Sequence, residues 1–243
     1  MQLVDGVHLV GSGWFGLSLT HSLDSNVYLI VEGSTAALVD AGAGREWSRI
    51  VDEIAATGVT RVAFIALTHK HADHCGGAAR LAVELDARVY APAAIVTALA
   101  SADEDALDVT AARRGGHYPS DYTFEPVRAD PVEHGMTLSF GGVSLEVHAT
   151  PGHTRDHHAY LLRRGGGRLL FCGDLVFARG RISPPVTPDH SIQDLRRSLE
   201  RTARLTPTGL LPGHGAPVLT DGGEHIRQAA QALAARRMPR VIT

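Results

Sequence analysis

Short apolar runs alternate with glycine-punctuated polar turns along this chain, and the runs fall into two similar sets. In the first set, residues 7–10 read as a short strand, and 27–32 with 36–40 as a hairpin across Gly33 and Ser34. Ala41, Gly42, Ala43 and Gly44 break that pattern. Trp47, Ile50, Val51 and Ile54 then recur at helical spacing, with Gly58 as the stop. Residues 62–67 are continuously apolar rather than alternating, the mark of a strand covered on both faces. A helix over about 77–85 and a strand over 88–91 follow. Trp14 and Phe15, on the glycine-rich turn after the first strand, read first as anchors onto the core and second as substrate contacts.

The second set echoes the first. The pair of runs at 28–31 and 37–40 is matched by 160–163 and 169–174, and the strand leading to His69 by the one leading to His214. Amphipathic helices are expected over 192–204 and 223–237, with Ser191 and Asp221 as N-caps. Two strand-rich halves with flanking helices predict an α/β architecture of two face-to-face sheets with helices outside. The 243 residues, 44% hydrophobic, suit one domain over 1–243. Residues 101–130 fit neither half, being polar and without a period. Such a stretch is expected to be a lid or substrate-binding element, and it offers Arg113, Arg114, Tyr118 and Tyr122.

Charge and cysteine content narrow the partners. A formal net charge of -3, with no basic run, gives no footprint for nucleic acid or an anionic membrane. No segment approaches the roughly 18 consecutive apolar residues of a membrane span. A small-molecule substrate and a cytoplasmic location are therefore expected, with a homodimer left open. Two cysteines make no disulfide framework, and Cys75 and Cys172 read as structural neighbours of the polar clusters beside them.

Those clusters carry the candidate chemistry. His69, His71, Asp73 and His74 place three imidazoles and a carboxylate within six residues, directly after the apolar run 62–67. That density points to a metal site. Three further ligand candidates each follow an apolar run and a glycine turn: His153 after Pro151 and Gly152, Asp174 after Gly173, and His214 after Pro212 and Gly213. Five histidines and two aspartates suffice for two metals. Asp40, at the end of its strand, reads either as support for the ligands or as a structural turn residue.

The order His-x-His-x-Asp-His, then His153, Asp174 and His214, resembles the metallo-β-lactamase superfamily and, within it, the glyoxalase II-like hydrolases. The resemblance implies a four-layer αββα sandwich of two pseudo-symmetric halves. It assigns His69, His71 and His153 to one metal, Asp73, His74 and His214 to a second, and Asp174 to a bridge. The implied activity is dinuclear hydrolysis of a thioester, ester or lactone carbonyl by a hydroxide shared between the metals, which Asp73 orients. The metals expected are two divalent ions, zinc first, then iron or manganese. Quorum-quenching lactonases carry a tyrosine three residues after the bridging aspartate, where this chain has Phe177, a further candidate for substrate contact. Class B3 β-lactamases lack the bridging aspartate, and the nuclease branch needs a basic face, so β-lactamase and phosphodiesterase activities rank lower. The rival from another reaction class is a persulfide dioxygenase with one iron held by two histidines and an aspartate.

Overall fold

The computed structural model describes residues 1–184 and 187–242. The chain divides into two compact units, Met1–Val132 and Glu133–Thr243. Each unit has its own sheet, its own helices and its own apolar cluster.

The first unit is built on a seven-stranded sheet whose spatial order follows the chain: β1 (Gln2–Val4), β2 (Val7–Gly11), β3 (Val27–Glu32), β4 (Thr35–Val39), β5 (Arg61–Ala66), β6 (Arg88–Pro92) and β7 (Asp130–Val132). The first four strands form an antiparallel meander, and β4 to β7 pair in parallel. Parallel neighbours need crossovers, and the chain supplies α1 (Trp47–Ala55) and α3 (Ala78–Glu84) for them. In α1 the apolar spacing buries Ile50 and Ile54, each worth roughly 1.5–3 kcal/mol when fully covered. The predicted hairpin forms across Gly33, whose φ of 59° lies in the left-handed region.

Two expectations need correction here. The segment over 101–130 is not structureless: α4 (Val96–Ser101) runs into it, α5 (Val109–Arg114) lies within it, and Leu107, Val109, Tyr122, Phe124 and Val127 are core residues of the first unit. Their wide and uneven spacing hides any period. Trp14 and Phe15 do not anchor the core but are exposed, at 75% and 54%. The helix expected over about 77–85 forms as α3, and a separate single turn, α2 (Ala72–Cys75), precedes it across Gly76 and Gly77.

The second unit has a five-stranded sheet in the order β12 (Gly209–Pro212), β11 (Gly167–Gly173), β10 (His158–Arg164), β9 (Val143–Ala149), β8 (Thr137–Phe140). Its strands are antiparallel except for the β11–β12 pair. Helices α6 (Ile192–Ala203) and α7 (Gly222–Ala234) bury Leu195, Leu199, Ile226 and Leu233 in that unit's cluster. Ser191 caps α6 as expected, its side chain accepting the Asp194 N–H at 3.2 Å. Asp221 does not cap α7 with its side chain; it adopts a left-handed backbone conformation, φ 55°. No helix among the described residues is long and apolar enough to cross a membrane.

Candidate metal centre

In the first unit the four clustered candidates sit just beyond β5 and on α2. The loop that carries them is pressed against the turn after β4. A Cβ added to Gly77 would lie 2.1 Å from the Ala41 carbonyl oxygen, and one on Gly76 would lie 2.2 Å from the Tyr122 hydroxyl. Only glycine permits these approaches, which explains the Gly76–Gly77 pair directly after the ligand motif.

Asp40 governs the ring orientations. It stands at a left-handed position, φ 64°, which aspartate tolerates better than most residues. Its Oδ1 accepts the Thr68 N–H at 2.8 Å, and its Oδ2 accepts the Thr68 hydroxyl at 3.0 Å and the His74 Nδ1–H at 2.8 Å. With the Thr68 hydroxyl donating to Asp40, its oxygen is left to accept from His69 Nδ1, 3.0 Å away. One buried carboxylate thus assigns the same tautomer to His69 and His74, with the proton on Nδ1 and the lone pair on Nε2. His69 Nε2 then stands 3.1 Å from His71 Nδ1, and His74 Nε2 stands 3.6 Å from Asp73 Oδ2. The two rings of the His-x-His pair meet although both residues lie beyond the strand end.

In the second unit the three remaining candidates are brought to one end of the sheet by strand register. Gly173 pairs with Pro212 across the parallel β11–β12 ladder, and the Gly213 N–H donates to the Gly173 carbonyl at 2.8 Å. Asp174 and His214 therefore leave adjacent strands together, and His214 Nε2 lies 3.6 Å from Asp174 Oδ2. His153 follows a turn held by α6: Ser198 donates to the Pro151 carbonyl at 2.7 Å, and a Cβ on Gly152 would lie 2.3 Å from the Leu195 Cα. His153 Nδ1 donates to the Ser183 carbonyl at 2.8 Å, and its Nε2 lies 3.5 Å from the same Asp174 oxygen. One carboxylate oxygen thus stands between two imidazole nitrogens.

Sequence reasoning missed His157, a fully buried ring behind Asp174. Its Nε2 accepts the Asp174 backbone N–H at 3.0 Å, and its Nδ1 donates to the Thr150 hydroxyl oxygen at 2.7 Å. Two adjacent histidines at 157 and 158 were the available signal, but nothing in their spacing separates a ligand from a support. Lys70 was likewise passed over. It is the only lysine in the chain, and its ammonium pairs with Asp108 at 2.7 Å.

The candidates for substrate contact divide. Arg113 bonds to the Glu104 carboxylate and to the Tyr122 carbonyl, and Arg114 is exposed. Tyr122 is buried and donates its hydroxyl to the Ala43 carbonyl at 2.8 Å, so it serves the fold of the first unit. Tyr118 donates to Asp73 Oδ1 at 2.8 Å. Phe177 is buried, its ring centroid 6.1 Å from that of His214. Both cysteines are buried free thiols. Burial, then the Asp174 charge, pushes the Cys172 thiol far above its ordinary pKa and keeps it protonated, which suits a structural neighbour rather than a thiolate ligand.

Residues 22–214 match the model of the metallo-beta-lactamase superfamily, and the chain belongs to that superfamily. Among its relatives are an atrochrysone carboxyl ACP thioesterase of Aspergillus fumigatus, 26% identical over 85% of this chain and 54% of the relative, and a hydroxyacylglutathione hydrolase of Acidiphilium cryptum, 28% identical over 65% of this chain and 51% of the relative. The chain spans about half the length of the curated relatives it matches. A metallo-beta-lactamase of Cronobacter sakazakii has the same α/β fold of two sheets with helices, with a TM-score of 0.71, 21% identity, and coverage of 97% of this chain and 96% of that one.

Proposed function

We propose that the chain is a dinuclear metal-dependent hydrolase acting on a thioester, ester or lactone carbonyl, with the two units working as one domain. In this reading His69, His71 and His153 hold one divalent ion, Asp73, His74 and His214 hold the other, and Asp174 is shared. The observation that carries it is the orientation of the donors. His69, His74 and His153 each have Nδ1 tied to an oxygen acceptor, which leaves Nε2 as the lone-pair atom, and in each unit those nitrogens stand beside further nitrogen or carboxylate donors. Ligand histidines are held in this way. An imidazole and carboxylate donor set of this size fits zinc, and equally iron or manganese.

A divalent pair supplies Lewis acidity toward a carbonyl and makes water nucleophilic near neutral pH, so no serine or cysteine nucleophile is required. The chain's own residues do the rest. Asp40 fixes His69 and His74, His157 holds the backbone of Asp174, and Asp73 orients the attacking water through a carboxylate oxygen. Two relatives support carbonyl hydrolysis by their names, one a thioesterase and one a hydrolase of an acylglutathione. The substrate in this reading is a small molecule, since the sequence has no basic run to hold a polyanion.

The test is an assay of the purified protein on generic thioesters, esters and lactones, beside oxygen uptake with a glutathione persulfide. Carbonyl hydrolysis, abolished in Asp174→Asn together with metal occupancy, is expected. Oxygen uptake with persulfide and no carbonyl hydrolysis on any substrate would assign the iron dioxygenase instead.

A further inference from the structure

The segment between α4 and β7 is fastened down along its length. Glu104 pairs with Arg113 and accepts the Phe124 N–H at 3.0 Å, while Arg113 also reaches the Tyr122 carbonyl. Arg45 grips Asp121 with two bonds, 2.9 and 3.2 Å, and lies over the Tyr122 ring with its guanidinium carbon 5.6 Å from the centroid. The Tyr122 ring in turn stands 4.9 Å, centroid to centroid, from that of Tyr118. These ties make the segment a strut rather than a hinged cover.

At the end of the strut is one phenol with two bonds to one residue. The Tyr118 hydroxyl donates to Asp73 Oδ1 at 2.8 Å and accepts the Asp73 backbone N–H at 3.2 Å. A side chain bonded at both its backbone and its carboxylate has little rotamer freedom left, and its second oxygen, Oδ2, faces His74 Nε2 at 3.6 Å. The Asp73 carbonyl is held as well, accepting the Ser25 N–H at 3.0 Å.

We propose that Tyr118 is a positioning residue for Asp73. By occupying Oδ1, it reserves Oδ2 for the ion held by the Asp73–His74 pair. The segment over 101–130 therefore acts on the chemistry itself and not only on the choice of substrate. This inference rests on the metal role assigned to Asp73 above.

The experiment is zinc titration of chelator-stripped protein against a competing chromophoric chelator, for wild type and Tyr118→Phe, with melting temperature and kcat and KM measured on the reloaded proteins. Phenylalanine keeps the ring and removes only the hydroxyl. The expected result is two binding steps in wild type, of which one weakens about tenfold in the variant while the other stays within about twofold. A lower kcat with KM unchanged within about twofold should accompany it. Two unchanged steps with a raised KM would make Tyr118 a substrate contact and overturn the proposal. Equal weakening of both steps with a fall in melting temperature would make it a structural residue and overturn it equally. Absence of two steps in wild type would instead overturn the dinuclear reading beneath it.

Discussion

At the scale of single residues, the most consequential side chain after the ligands is Asp40. It binds no metal in the proposed scheme, yet its two oxygens set the tautomers of His69, through Thr68, and of His74 directly. Asparagine in its place tolerates the left-handed backbone but presents an amide N–H₂ where a carboxylate oxygen accepted two donors. Asp40→Asn is therefore expected to fold and to bind zinc about 10–100-fold more weakly, measured by chelator competition. Undiminished affinity would show that His74 and His69 are oriented by something else. The sequence leaves Asp40 open between support for the ligands and a structural turn residue, because its partners lie 28 and 34 positions away. Tyr118 was legible as a candidate but not as a partner of Asp73, for the same reason: a contact across 45 residues leaves no periodic trace.

At the scale of elements, the strands were the most legible part of the chain, because β3, β4, β5, β10 and β11 are buried along most of their length and so read as unbroken apolar runs. Elements that carry few apolar residues were not legible. The three-residue β1 and β7 have no period to show, and α5 is one and a half turns with only Val109 buried. Adjacent strands also create a pH dependence. His148 on β9 and His158 on β10 both have pKa values held below the ordinary 6.5, in each case chiefly by burial, with Glu146 partly opposing this at His148. The folded protein then binds fewer protons than the unfolded chain between those lowered values and 6.5. Stability from this source is complete above about pH 6.5 and is lost as the pH falls through the lowered values. Urea unfolding of metal-free protein from pH 8 to 5 should show a shallower loss in the His148→Gln, His158→Gln double variant, within the limit of about 1.4 kcal/mol per pH unit for each proton. Identical slopes would assign the acid sensitivity to other groups.

At the scale of the whole molecule, the echo between the two halves was visible in the sequence and corresponds to two units, each with a sheet and helices of its own. The ligand pattern divides between them, His69, His71, Asp73 and His74 in one, His153, Asp174 and His214 in the other. Neither set contains all seven positions, so the proposed activity requires both units in one centre. Anomalous diffraction at the zinc edge, on crystals grown with zinc, tests this most directly. Two peaks per chain are predicted, one bonded by His69, His71 and His153 and one by Asp73, His74 and His214, each with ligand distances of about 2.0–2.2 Å, and with Asp174 reaching both. A single peak, or peaks each ligated by residues of one unit alone, would contradict the account.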